Sequence, residues 1–383
     1  MKEINGIYAS AKIFTTNNVE TSIDQYASAQ LQMLCDNETL KKCRIRVMPD
    51  VHPGKVGTIG LTMTIGDKLM PNLTGIDLGC GMSLAKIKGK VKEFQKLDRV
   101  IRDKIPSGSH IRKSSHRLAK SFDFSRLHCA EHIQKERCML AAGTLGAGNH
   151  FIELDQDNEK NTYLVIHSGS RHLGKEVTEY YLNEGQKALK EHGIVIPYEL
   201  TYLREDLLND YLYDSSILQE YATLNREIMI SEICKDMKWK ILERYDCIHN
   251  YIDTSEQVIQ QFGVPILRKG AISAQLDEKV IIPINMRDGI ILGTGLGNNE
   301  WNCSAPHGSG RILKREDVKN NYTLPHFKSA MKGIYSPSIN KNTLDEAPFA
   351  YRPLKEIADV IGETVRIDKI IKPIYNFKGQ GKD

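Results

Sequence analysis

A single cysteine, Cys80, stands between Gly79 and Gly81, three residues after Asp77, in the stretch Leu73-Thr-Gly-Ile-Asp-Leu-Gly-Cys-Gly-Met82. In a regular strand Asp77 and Cys80 would point to opposite faces, because side chains alternate. The flanking glycines admit a tight turn or bulge that brings thiolate and carboxylate to one point. A thiolate beside a carboxylate, with neutral histidines from elsewhere, suits a divalent transition ion. The same stretch also reads as a buried structural cysteine on a glycine-rich strand. What lies elsewhere in the chain decides between the two.

The chain has 383 residues, 40% hydrophobic and 26% charged, the mix of an ordinary soluble protein with room for a large core. Length alone suggests two or three domains, but no internal repeat, low-complexity tract or clear linker divides the chain. One compact catalytic domain over 1–383, with a helical insertion, is expected. A formal net charge of +4 permits a nucleic-acid partner without demanding one. Eight cysteines, scattered singly, read as reduced thiols. The opening Met1-Lys-Glu-Ile-Asn-Gly-Ile-Tyr8 has no uninterrupted apolar core, so no secretory signal is expected. No run approaches about 18 apolar residues, so no membrane span is expected and the cytoplasm is the default compartment.

From Met1 to about Lys42 the pattern suggests a short strand and then a helix through Ile23 to Leu34. Arg44 to Met48 reads as a strand running into a turn, Pro49-Asp-Val-His-Pro-Gly54, in which Asp50 and His52 read as solvated. Apolar runs from Thr58 to Ile65 and from Gly75 to Ile87 flank a turn at Asp67 to Asn72. Mixed glycine-rich strands of this kind predict an α/β or α+β sheet. From Lys175 to about Tyr245 the pattern turns helical, with apolar residues at three-to-four spacing in Glu176 to His192 and Ser216 to Tyr245. This predicts a helical insertion over about 175–245, whose last helix delivers Asp246-Cys-Ile-His-Asn250.

Several apolar runs end in chemistry. Gly143, Gly146 and Gly148 precede Asn149 and His150, and the strand-like Phe151-Ile-Glu-Leu154 carries Glu153. No Gly-Lys-Ser/Thr follows, so this is not a Walker loop. The run Tyr163 to Ile166 ends in His167 and a Ser-Gly-Ser turn with Arg171. His249 and Asn250 repeat the Asn149–His150 pair in reverse order. Ala305-Pro-His-Gly-Ser-Gly-Arg311 sets His307 in a loop with an arginine four residues on, as an anion or nucleotide phosphate requires. One carboxylate, one thiolate and several histidines at element ends fit a two-metal phosphoryl-transfer site. A separate basic segment, Ile101 to Lys120, includes Arg112, Lys113, Arg117 and Lys120. It reads as a loop tracking a phosphate backbone or as an ordinary solvated loop.

Six blocks in order strongly resemble the RtcB family of RNA-splicing ligases. They are Met48-Pro-Asp-Val-His-Pro-Gly54, Gly75-Ile-Asp-Leu-Gly-Cys-Gly81, Leu145-Gly-Ala-Gly-Asn-His-Phe-Ile-Glu153, Val165-Ile-His-Ser-Gly-Ser-Arg171, Ile248-His-Asn250 and His307-Gly-Ser-Gly-Arg311. The resemblance implies the family's α/β fold, with mixed sheets around a central metal cleft. It implies two manganese ions, one held by Asp77, Cys80 and His150, the other by Cys80, His167 and His249. It implies that His307 attacks the α-phosphate of GTP and carries GMP. Asn149, Asn250, Gly308, Ser309 and Gly310 would line the nucleotide phosphates. Glu153 and Lys378 would hold guanine, Tyr351 would pack on it, and Asn285 and Met286 would border the nucleotide. GMP would pass to an RNA 3′-phosphate, opened first from a 2′,3′-cyclic phosphate where needed, and a 5′-hydroxyl would displace it.

The ligands alone would equally hold zinc or cobalt. The family's usual Pro-Gly-Ser-Met loop is replaced by Pro283-Ile-Asn-Met286, followed by Arg287-Asp-Gly289, and His172 follows Arg171 where glycine is common. These departures mark a divergent branch, for which repair of cleaved RNA stands beside tRNA splicing. A metal-dependent phosphoesterase that uses no GTP, and a non-catalytic RNA binder, are the rival readings. The resemblance leaves open the oligomeric state and any activating protein partner.

Overall fold

A computed structural model describes residues 2–15 and 23–379; the remaining ends of the domain expected over 1–383, and residues 16–22, lie outside the described residues. Two main sheets organise it. The larger has seven strands, in the order Lys240–Ile248, Gly81–Lys88, Thr162–Ser168, Phe151–Gln156, Val365–Lys378, Gly289–Gly295 and Lys279–Asn285. The smaller has six, in the order Lys2–Asn5, Ser10–Ile13, Ile45–Pro53, Thr58–Thr64, Ile266–Lys269 and Asn250–Asp253. Only the pairing of Ser10–Ile13 with Ile45–Pro53 is parallel among these strands, so the fold is the α+β member of the expected pair.

Alternation along the strands builds two cores on the seven-stranded sheet. Leu164 and Ile166 face the helices Phe94–Lys104 and Glu205–Met237, where they pack with Leu97, Ile101, Met229 and Ile233. Tyr163 and Val165 face the other way, into an interior closed by Ile281, Ile282, Ile290 and Ile291 of the hairpin at the sheet's far edge. Each such aliphatic side chain contributes about 1.5–3 kcal/mol when fully buried. The same parity puts His167 on the interior face with Val165.

Three boundaries differ from expectation. Residues 49–53 continue the strand Ile45–Pro53 through a register irregularity, instead of turning in solvent, and Asp50 is fully buried. The apolar run from Gly75 becomes a strand only at Gly81, because Pro71–Thr74 forms a helical turn and the next residues loop. The second long helix runs from Glu205 to Met237 and is closed by Lys238 in the left-handed conformation, at φ 56°. Residues 240–248 then form a strand paired along Gly81–Lys88, so His249 follows a strand, not a helix. The first expected helix is present as Gln25–Cys35, with the Asp24 carboxylate accepting from Tyr26 N–H at its start. The first helix of the expected insertion spans Arg171–Glu191. No helix among the described residues is long and apolar enough to cross a membrane.

Gly81 has no room for a side chain: a Cβ there would lie 2.6 Å from Cys247 O and 2.7 Å from Ile248 Cα, both backbone atoms. Gly81→Ala is expected to cost about 1–3 kcal/mol by forcing these strands apart. Urea unfolding followed by circular dichroism checks this; a midpoint equal to the parent's would contradict the close pairing.

Candidate active site

Four neighbouring strands of the seven-stranded sheet bring their functional residues to one end. Antiparallel neighbours alternate starts and ends at a given edge. Cys80 precedes Gly81, His150 precedes Phe151, His167 is the penultimate residue of Thr162–Ser168, and His249 follows Ile248. The register aligns them, with Gly81 opposite both Ser168 and Ile248, and Phe151 opposite His167. The chain then crosses into the six-stranded sheet through His249.

The donor atoms converge. Cys80 Sγ lies 3.3 Å from His167 Nε2 and 3.5 Å from His150 Nε2. His167 Nε2 is 3.2 Å from His249 Nε2, and Asp77 Oδ2 is 3.3 Å from His150 Nε2. The loop that closes Asp77 onto Cys80 needs Gly79 at φ 75°, where a Cβ would also strike the Ala222 methyl. His150 Nδ1 donates to Leu145 O and His167 Nδ1 to Asn149 O, since carbonyls only accept. Each ring therefore turns an Nε2 lone pair inward, as a metal ligand must.

Burial pushes the His167 and His249 pKa values well down, so both rings are neutral. Burial, reinforced by Asp77, pushes the Cys80 thiol well up. Asp77, although burial opposes its charge, is held well below the usual carboxylate range by His150 beside it and by the positive charge of Arg171. Cys80, His150 and His167 form a group of ligand atoms all within 4.8 Å of one another, with Asp77 and His249 adjoining. One thiol, one carboxylate and three imidazoles are donors for divalent transition ions.

A buried arginine, unsuspected from sequence, fixes this arrangement. Arg226, on the helix Glu205–Met237, is fully buried and donates to Gly79 O, Ser168 O and Ser83 Oγ, each at 2.9 Å. Its Nε lies 3.4 Å from Asp246 Oδ1. Asn225 beside it donates to Ser168 Oγ and Gly169 O and accepts from Gly143 and Thr144 N–H. A signal existed: Leu218, Ala222, Arg226, Met229 and Ile233 share the helix's apolar face by spacing.

His307 comes from another layer. It follows the short strand Ser304–Pro306, paired with Ala271–Ser273. Its Nδ1 is 2.7 Å from Asp50 Oδ2. The carboxylate accepts, so the proton sits on Nδ1, and the neutral tautomer this selects has its lone pair on Nε2. Its ring centroid is 5.0 Å from that of His249. Asp50, read as solvated from sequence, is thus the partner of the candidate nucleophile, and half-buried His52 bonds the Asp50 carbonyl beside it.

A cavity of about 250 Å³ adjoins His167, His249 and His307. Asn149, Glu153, Asn285, Met286, Gly308, Ser309, Gly310, Tyr351 and Lys378, all expected around a nucleotide, line it. Asn250 does not; its amide oxygen accepts from Gly270 N–H. Asn285 spends its side chain capping the Arg287 and Asp288 N–H groups in the hairpin turn. Ser309 donates to Ile284 O. Lys378 is paired with Glu346 at 2.8 Å, and Tyr351 donates to the same carboxylate at 2.6 Å. Burial works against the Glu346 charge, but Lys378 and Arg315 hold it at about 2.

Of the basic segment, Arg112 is committed to Glu232 at 3.4 Å and to Lys104 O, so the expectation of four cations facing solvent narrows to three. Lys113, Arg117 and Lys120 are exposed.

The model of the family described as tRNA-splicing ligase RtcB matches residues 33–128 and 122–379. The RNA-splicing ligase RtcB of Escherichia coli strain K12 is 27% identical over 380 residues, covering 88% of this chain and 90% of that protein. The tRNA-splicing ligases RtcB of Aeropyrum pernix and Pyrobaculum aerophilum are 26% and 24% identical, each covering 87% of both chains.

Three outcomes follow from the geometry. Cys80→Ala is expected to lose bound divalent metal by elemental analysis, and metal uptake by the parent near neutral pH should release about one proton, from the thiol that burial keeps protonated. Uptake without proton release would contradict Cys80 as a ligand. Arg226→Met should destabilise the fold by about 3–5 kcal/mol, because it leaves Gly79 O, Ser168 O and Asp246 without their buried cation. Denaturant titration measures it, and a cost near zero would remove Arg226 from the frame.

Proposed function

This chain belongs to the RtcB family, and from that premise we propose that it is an RNA ligase joining 3′-phosphate or 2′,3′-cyclic phosphate ends to 5′-hydroxyl ends through GMP carried on His307. The observation that carries the reading is the Asp50–His307 pair beside a convergent donor cluster, both opening on one cavity. In a hydrolase the same imidazole would act as general base toward water, whereas in the ligase its Nε2 is itself the nucleophile, and covalent GMP separates the two.

Asp77, Cys80 and His150 would hold one divalent ion and Cys80, His167 and His249 a second, taken here as manganese. Bound, the ions would neutralise charge developing on phosphate oxygens. Asp50 holds the His307 tautomer so that Nε2 can attack the GTP α-phosphorus; the P–N bond forms, the P–O bond breaks and pyrophosphate leaves. An oxygen of the RNA 3′-phosphate then takes the GMP phosphorus, breaking P–N and returning the lone pair to Nε2. The 5′-hydroxyl oxygen finally attacks the 3′-phosphorus; the new P–O bond forms as the hydroxyl proton passes to solvent, the P–O bond to GMP breaks, and GMP departs. The Gly308-Ser-Gly310 loop and Asn149 lie where backbone and amide groups would steady the phosphates. Glu153, Lys378 and Tyr351, which line the same cavity, would take the guanine base. Lys113, Arg117 and Lys120 are the cations offered to an RNA backbone.

The direct test is joining of a 3′-phosphate RNA to a 5′-hydroxyl RNA with manganese, with and without GTP. Ligation only with GTP is expected; removal of the 3′-phosphate without GTP would instead favour the phosphoesterase. Asp50→Asn should slow GMP loading on the order of a hundredfold or more while metal content stays intact, because the tautomer is lost. Loading at the parent rate would dismiss Asp50. Neutralising Lys113, Arg117 and Lys120 together should lower the slope of log affinity for single-stranded RNA against log salt by about two. An unchanged slope returns them to ordinary surface residues.

A further inference from the structure

Glu153 and Asp155 lie two apart on the strand Phe151–Gln156 and share its interior face. Glu153 opens on the cavity and accepts from the Asn376 amide. Asp155 sits one step deeper, with 0% exposure, in register with Tyr163 on one side and Pro373 on the other. No donor among the described residues reaches either Asp155 carboxylate oxygen.

The groups around the pair do not compensate an Asp155 charge. On the strand Thr162–Ser168, the Tyr163 hydroxyl goes to Asp157 at 2.9 Å, and His167 is neutral by burial. On the strand Val365–Lys378, Lys369 faces Asp157 at 3.5 Å and Lys378 is taken by Glu346. The hairpin Lys279–Asn285 and Gly289–Gly295 presents apolar side chains to this interior. Across the cavity, Arg315 and Tyr351 both pair with Glu346. An ionised carboxylate in such a place is strongly disfavoured, and two adjacent ones more so.

Resting on the reading of Glu153 as the group that takes guanine, we propose that Asp155 is a positioning residue. As a neutral carboxylic acid it donates its proton toward the Glu153 carboxylate, and so keeps Glu153 an anionic acceptor for the N1–H and N2–H of the base. The pair then holds one proton between two carboxyl groups. Burial, with Glu153 beside it, raises Asp155 well above the carboxylate range. Burial raises Glu153 to about 7, while hydrogen bonds from Asn376 and Asp155 and the charge of Lys378 work the other way. The sign follows: below about pH 7 Glu153 takes up a proton and guanine affinity falls. Removing the Asp155 donor raises Glu153 further and moves that fall to higher pH.

The test uses the full metal-loaded chain, with GTP and ATP binding measured against pH and the un-ionised carboxyl stretch read by infrared spectroscopy. The wild type should prefer GTP to ATP and show the carboxylic-acid band at about pH 8. Asp155→Leu should shift the fall in GTP affinity upward by about one pH unit, making binding at pH 7 about fivefold weaker. Asp155→Asn keeps an N–H donor, so its profile should stay close to the wild type, but it should lack the band. A wild type that prefers GTP yet lacks the band, or a leucine variant with the wild-type profile, overturns the role of Asp155 alone. No preference for GTP over ATP in the wild type overturns the reading of Glu153 and the proposal with it. The infrared arm needs only the near-isosteric asparagine variant, so it decides even where the leucine variant fails to fold.

Discussion

The guanidinium of Arg226 is the tie on which the candidate centre depends. It reaches from the long helix into the end of the seven-stranded sheet and holds Gly79 O, one residue before Cys80, and Ser168 O, one residue after His167. Through Asp246 it also steadies the strand that ends just before His249. Three donor-bearing segments far apart in sequence are thereby held by one planar group, whose fixed fork suits such bridging. Buried as it is, the charge is tolerable only because its donors are used on carbonyls, hydroxyls and a carboxylate. The helix is therefore part of the centre, although the chain leaves the sheet to make it.

A second consequence of the architecture is that nucleophile and metal donors ride on different layers. Asp77, Cys80, His150 and His167 belong to the seven-stranded sheet, whereas Asp50 and His307 are anchored on the six-stranded sheet and its short two-stranded neighbour. His249 lies at the crossing. Within that second layer Gly270, at φ 60°, leaves room for the nucleophile's ring, since a Cβ there would come within 3.2 Å of His307 and closer still to Ile59. Asp50 sets the ring's tautomer from within one layer while the donor cluster is set from the other, so each can be perturbed separately.

What the sequence made legible were the residues whose chemistry sits at the end of an apolar run. Cys80, His150, His167 and His307 each follow or precede such a run with glycines close by, and the structure brings all four to one cavity edge or cluster. Asp50 was visible but read as solvated, because two prolines in Pro49-Asp-Val-His-Pro53 look like a turn; in the fold they edge an irregular strand that buries the carboxylate. The end of the second long helix was misplaced because Lys238 adopts the left-handed cap without a glycine to announce it, and Lys240-Ile-Leu-Glu-Arg-Tyr-Asp continues the mixture of charged and apolar residues. Arg226 and Asp155 escaped notice for a shared reason. Charged residues are assigned to water by default, and the apolar spacing around Arg226 on its helix is outweighed by that assumption, while Asp155 carries no such signal and is shown to be enclosed only by packing.

The central claim is a covalent one: a histidine held by Asp50 accepts GMP. It is tested most directly by incubating the protein with GTP and manganese, digesting it under conditions that preserve the acid-labile P–N bond, and locating the added mass by peptide sequencing. The account predicts one GMP per chain, on His307. GMP on another residue, or none under conditions where RNA ends are joined, would contradict it.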